Sequence, residues 1–199
     1  MPASPRFEFH PATADRWADV VKLFGPKGAC AGCWCQWPRL PAAEYRRGSG
    51  TPNKRRLERL VRADARPGLI AYAEGEPAGW CALAPRTEYP RLETSKVMAP
   101  VDDQPVWSVV CFFVLKEWRG KGLSVRMLKE AARYAASNGA RILEGYPTAA
   151  RSRQSAAFVW TGLASAFESA GFKEVARRSP SRPIMRRTLR RPTKAARRG

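Results

Sequence analysis

Residues 107–139 confine the fold more tightly than any other part of the chain. An apolar strand, a basic glycine turn and an amphipathic helix follow one another there without a spacer. Trp107, Val109, Val110, Cys111, Phe112, Phe113 and Val114 read as a strand buried on both faces, spanning 107–115. In the turn, glycines allow close backbone approach, amides are exposed at a helix start, and Arg119 and Lys121 add positive charge. Beyond it Leu123, Met127, Leu128, Ala131, Tyr134 and Ala135 recur at helical spacing as one core-facing stripe. Asn138-Gly139 then supplies a left-handed stop. The combination is a device for holding a pyrophosphate.

Several phosphate-binding turns share this outline. A P-loop requires Gly-Lys-Ser/Thr, but Gly122 precedes Leu123 and no such string occurs. A dinucleotide fingerprint requires a third glycine where Val125 stands, although Glu144 lies where a ribose-binding acid is expected. Arg-x-x-Gly-x-Gly/Ala fits better, here Arg119-Gly120-Lys121-Gly122-Leu123-Ser124. With the strand ending Phe112-Phe113-Val114, a helix after the turn, a short strand over 141–146, a helix over 158–170 and then Gly171-Phe172, residues 105–190 resemble the GNAT superfamily of acetyl-CoA-dependent N-acetyltransferases.

That resemblance implies an α/β fold: a central mixed, mostly antiparallel sheet of six to seven strands, flanked by about four helices. Strands four and five would be parallel and splayed. The cosubstrate would be acetyl-CoA, its pantetheine arm held by the backbone of Phe112, Phe113 and Val114 in the manner of an added strand. Arg119, Gly120, Lys121, Gly122, Leu123 and Ser124 would hold its pyrophosphate. The implied reaction moves an acetyl group to a primary amine by direct attack in a ternary complex. It requires a neutral amine, a polarised carbonyl and a protonated leaving thiolate.

The usual catalytic side chains do not carry over. Phe167 stands where many members have tyrosine, Trp160 where many have asparagine, and Ser108 where some have glutamate. Glu144 and Tyr146 share parity on strand five and are the expected base and acid. The alternative is that Glu144 pairs with an arginine and Tyr146 packs in the core. On the acceptor side the family pattern points to Trp34, Trp37 and Tyr89, with Tyr45 and Met98 near them. The carboxylates Glu88, Glu93, Asp102 and Asp103 lie in the same segments. Aromatics beside acids suit a cationic amine, small molecule or peptide; the same residues also suit a hydrophobic lid with solvated charges.

The sequence of 199 residues carries a net charge of +19, and from 177 to 199 it has ten Lys/Arg residues and no acid. Residues 190–199 read as a disordered basic tail, able to touch nucleic acid weakly and non-specifically, behind a single domain at 1–189. No apolar run reaches membrane-spanning length, and residues 1–10 lack a signal segment, so a cytoplasmic protein without membrane contact is expected. A homodimer is compatible with this pattern. Cys30, Cys33 and Cys35 form a C-x-x-C-x-C run. Without a second Cys/His pair it reads as reduced thiols in an aromatic loop, with zinc or redox chemistry as alternatives and no metal assigned.

Elsewhere the pattern predicts a strand over 6–10 and a helix bearing Trp17, Val20, Val21 and Phe24, capped by Thr13 or Asp15. An irregular connection over 25–50 follows, then a basic helix over 52–65. A hairpin of 68–73 with 77–84 turns at Glu74-Gly75-Glu76, and a long loop covers 86–103. Two other functions fit the same features: a non-catalytic acyl-CoA-binding or regulatory module, and a nucleic-acid-associated protein acting through its tail.

Overall fold

The apolar runs form one seven-stranded sheet in the computed structural model, which describes residues 5–149 and 160–190. Its strands are β1 (Phe7–Pro11), β2 (Gly68–Ala73), β3 (Glu76–Pro85), β4 (Trp107–Val114), β5 (Ile142–Gly145), β6 (Lys173–Arg177) and β7 (Pro183–Thr188), in the order β1-β2-β3-β4-β5-β7-β6. Neighbours are antiparallel except β4 and β5, which are parallel. The mixed, mostly antiparallel sheet expected from the sequence is therefore present. The β2–β3 hairpin closes through Glu74 and Gly75, both at positive φ (54° and 86°), the geometry that matches strand twist in a two-residue turn.

Six α-helices occur among the described residues: α1 (Trp17–Phe24), α2 (Ala42–Arg47), α3 (Thr51–Arg62), α4 (Pro90–Glu93), α5 (Leu123–Ser137) and α6 (Ala164–Ser169). None is long and apolar enough to cross a membrane. The connection over 25–50 is less irregular than expected, since α2 follows Pro41 directly. The loop over 86–103 likewise contains a 3-10 turn and then α4, which opens on Pro90, a residue at ease in a first helical turn. Neither Thr13 nor Asp15 caps α1 through its side chain; the Thr13 hydroxyl instead accepts a bond from Arg16.

The helix expected over 158–170 begins at Ala164. Residues 158 and 159 lie outside the described residues, as does the basic tail apart from Arg190. Trp160, Thr161 and Gly162 are not helical; the Trp160 carbonyl accepts from Phe112 in β4 and the Gly162 carbonyl from Thr148 beyond β5.

Two apolar layers cover the sheet. One face holds α1 and the aromatic loop before α2, packed on Ile70, Trp80 and Val110. The other buries the α5 stripe with Phe167 and Phe172 against Leu83, Val109 and Leu143. The register between β3 and β4 slips at Ala82/Leu83, placing an extra residue, Val110, in β4. Such a bulge breaks the alternation of faces, so Val110 and Cys111, though consecutive, join the same layer.

Parallel pairing of β4 with β5 is short: Trp107 with Leu143, Ser108 with Glu144 and Val109 with Gly145. Past these pairs the strands part, and the gap opens toward the start of α5.

Candidate active site

The turn before α5 is held open by two glycines in left-handed conformation, Gly120 (φ 74°) and Gly122 (φ 78°). Side chains adopt that region only under strain, so a sharp bend into the helix requires glycine here. Gly122 is the N-cap and offers no side chain to bond the helix start. Among the described residues no protein group accepts a hydrogen bond from the backbone N–H groups of residues 120–125. The first intrahelical bond runs from Arg126 to the Gly122 carbonyl, 3.2 Å. A row of donors at the positive end of a four-turn helix is an anion site by construction. Arg119, exposed beside it, donates through Nε to the Val114 carbonyl, 2.9 Å, which fixes the root of its guanidinium against β4. The Lys121 ammonium sits 4.6 Å from the Trp118 ring.

From Arg119 a cavity of about 350 Å³ runs along Phe113, Phe112 and Cys111 toward the aromatic loop. The edge of β4 that lines it is not wholly free. Phe112 donates its N–H to the Trp160 carbonyl at 2.6 Å, and Arg119 occupies the Val114 carbonyl. Thr148 forms a parallel bridge with Leu163 just beyond. The chain itself thus fills one of the backbone positions that the sequence reading assigned to a pantetheine arm.

Cys30, Cys33, Cys35 and Cys111 all face this cavity, and the Cys35 and Cys111 sulfurs are 3.3 Å apart. The bond to Cys111, then burial, pushes the Cys35 thiol well above its ordinary range; burial does the same more mildly to Cys33. Both are therefore protonated at neutral pH. Among the described residues no three Cys, His, Asp or Glu side chains converge as metal ligands. The loop that carries the thiols is strained: Ala29, Ala31, Trp34 and Cys35 all have positive φ without being glycine.

That backbone path sorts the expected acceptor residues. Trp34 turns inward, packs on Trp17 and Phe24, and takes the Lys54 ammonium over its ring. It does not line the cavity. Trp37 does, with its ring centroid 4.9 Å from that of Trp160. Tyr89 is fully buried beneath the Arg39 guanidinium. Tyr45 also lines the cavity, its phenol pushed up to about 12, chiefly by burial.

Glu144 and Tyr146 are brought together as their parity predicts, with Tyr146 Oη donating to Glu144 Oε1 at 2.5 Å. Tyr146 itself lies just past the end of β5. Arg86 donates to both, at 3.1 and 2.5 Å, and also to the Met98 carbonyl. Arg186 pairs with the other Glu144 oxygen at 2.6 Å, and Ser108 bonds to Tyr146. Glu144 has no exposed surface and both its oxygens are engaged; burial, then the charge of Glu144, holds the Tyr146 phenol well above its usual value. Neither residue lines the cavity. Phe167 packs edge-on against Phe112 and Phe172 and fits over Gly145, where a Cβ would meet its ring at 2.2 Å.

Sequence reasoning missed Arg86 and Arg91. Arg86 lies 58 residues from Glu144, and nothing local marks it. Arg91 stacks on Trp37 and Tyr45, 4.5 and 5.9 Å from the ring centroids. Its only signal was proximity to Pro90 in a segment already rich in aromatics.

Residues 34–158 match the family model described as "Acetyltransferase (GNAT) family". A search of curated proteins gives no significant match. Among solved structures, PaiA N-acetyltransferase from Thermoplasma acidophilum in complex with coenzyme A is similar over 92% of this chain and 99% of that one, at 14% identity and TM-score 0.52. A GNAT-family acetyltransferase from Streptococcus agalactiae aligns over 92% and 96%, at 8% identity and TM-score 0.56. A Corynebacterium glutamicum protein titled histone acetyltransferase HPA2 and related acetyltransferase aligns over 96% and 99%, at 19% identity and TM-score 0.51.

Proposed function

The chain belongs to the GNAT acetyltransferase family, and from that premise we propose that it moves the acetyl group of acetyl-CoA to a primary amine by direct attack in a ternary complex. The observation that carries this reading is the row of unpartnered amides at residues 120–125, flanked by Arg119 and Lys121, opening into the cavity along β4. A diphosphate supplies the acceptors those donors lack. Its attached arm then has one direction to follow, past Phe113 and Phe112 toward Cys111.

For the arm to bond β4 as an added strand, the Trp160 carbonyl must give up the Phe112 N–H, a one-for-one exchange of hydrogen bonds. The thioester would then lie near Cys111 and Cys35, with Trp37 and Tyr45 on the acceptor side. Glu144 and Tyr146 act on this reading as positioning residues: with Arg86 and Arg186 they join β5, β7 and the segment after β3, and so set where β4 and β5 diverge. Proton removal from the amine falls to water in the cavity. The acyltransferase unit comprises residues 1–189, and the basic segment beyond it is an appendage.

The absence of a carboxylate or imidazole among the described residues lining the cavity also favours a second reading, a coenzyme-binding module without turnover. Calorimetry with acetyl-CoA and release of coenzyme thiol across a panel of primary amines separate the two. Binding with amine-dependent release is the expected result. Binding without release selects the module, and no heat with any CoA thioester removes both.

A further inference from the structure

Trp37, which lines the cavity along β4, also lines a neighbouring one. A second cavity of about 430 Å³ is lined by Trp37, Pro41, Pro90, Arg91, Ser95 and Met98, among others. Trp37 lines both cavities, which sets the second beside the acceptor end of the first. Among the described residues lining the two, there is no aspartate or glutamate, and each carries one arginine: Arg119 in the first, Arg91 in the second.

The acids nearby are already committed. Glu44 pairs with Arg56 at 2.8 Å, Glu88 with Arg39 at 2.6 Å, and Glu93 with Arg86 at 2.7 Å. Asp102 pairs with Arg186 at 2.6 Å. Of the carboxylates that the sequence offered to a cationic substrate, Glu88, Glu93 and Asp102 are thus paired within the protein, and Asp103 lines neither cavity. Arg91 has no carboxylate partner among the described residues. Its guanidinium lies against the faces of Trp37 and Tyr45, the places a cationic substrate would take, and its backbone N–H reaches the Pro38 carbonyl at 3.4 Å. Stacking holds the planar cation flat while leaving its edge N–H groups free for a bidentate anion.

We infer that Arg91 determines acceptor specificity, and that the acceptor is an amine carrying an anionic group, a carboxylate or phosphate, on an apolar or aromatic body. This rests on the acetyl-transfer reading above. The anionic group pairs with the free edge of Arg91, the body lies along Trp37 and Met98, and the amine points past Trp37 toward the thioester. A dication meets the Arg91 charge with no acid to offset it.

Benzylamine, 4-(aminomethyl)benzoate and 4-(aminomethyl)benzylamine present the same reacting amine on the same ring with neutral, anionic and cationic ends. With saturating acetyl-CoA, kcat/KM from coenzyme-thiol release should favour the carboxylate over benzylamine by about tenfold or more, and the diamine should be poorest. Arg91→Ala should bring the carboxylate-to-benzylamine ratio to about one, and Arg91→Lys should restore part of it, since an ammonium keeps the charge but not the fork. Quenching of Trp37 fluorescence, with Trp37→Phe as the control, reads binding apart from turnover. Carboxylate-selective quenching without thiol release leaves the specificity intact and removes the transfer reading. Preference of the wild type for benzylamine or the diamine overturns the inference, as does a ratio unmoved by Arg91→Ala. A panel giving neither release nor quenching overturns both.

Discussion

The two ends of the cleft proposed for the coenzyme are built in opposite ways. At the α5 end the backbone donors of residues 120–125 have no protein partner among the described residues and lie beside exposed cations. Back along β4, the Phe112 donor is already spent on the Trp160 carbonyl, and the walls are thiols and aromatic rings. The first end is preorganised: a diphosphate replaces water on amides that need no rearrangement. The second is a latch, where an incoming arm wins a hydrogen bond only by releasing one. On the proposed reading, recognition of the coenzyme is concentrated in its charged half, while seating of the thioester is an exchange close to neutral in hydrogen-bond count.

The largest effect should come from the bend itself. Gly122→Val forces a β-branched residue into the left-handed region at about 1–2 kcal/mol and dislodges the amide row, so the Kd for acetyl-CoA should rise about thirtyfold or more by calorimetry. A Kd within threefold of the parent would mean that the latch, not the turn, supplies the affinity. Arg119→Ala removes a charge and the tether to Val114, and about a tenfold loss of affinity is expected, diminishing as salt is raised. The salt dependence distinguishes loss of the charge from loss of the tether.

The smallest effect is one of pH. Cys33, Cys35 and Cys81 hold their protons more tightly in the folded chain than their ordinary value of 9.0. The stability linked to them is whole below that value and is lost as pH rises above it toward the folded values, because the unfolded chain ionises first. The urea midpoint should be level from neutral pH to about 8.5 and fall beyond 9. Coenzyme binding at the turn, which rests on backbone amides, should stay level over the same range. If affinity falls in parallel with stability, the thiol end contributes more to binding than its geometry suggests.

What the sequence disclosed and what it withheld follow from the range of the interactions. Strand, turn and helix at 107–137 were legible because each is determined by neighbours: apolar continuity, glycine at positive φ, and a 3.6-residue stripe. The same holds for Glu144 and Tyr146, whose parity alone placed them together. Arg86, the partner that changes their meaning, enters from the 3-10 turn after β3, and no local pattern records it. The short helices α2 and α4 were invisible because four to six residues carry too little periodicity, and their stability comes from what they pack against. Trp34 and Trp37 were equivalent as letters in a loop. Positive φ at Trp34 and Cys35 separates them, sending one into the core and the other to the cavity. The helix expected over 158–170 does not include Trp160 to Gly162, where the Trp160 and Gly162 carbonyls accept bonds from Phe112 and Thr148 rather than from their own next turn.

The brevity of the parallel seam has a consequence of its own. With three residue pairs between β4 and β5, the sheet is two wings, four strands and three, that share a short spine. How far the wings diverge sets the room left for an acyl group beyond the thioester. The Arg86–Glu144–Arg186 cluster sits on that axle. On the proposed reading, tolerance for longer acyl chains is governed from a knot of charge that does not line the cavity.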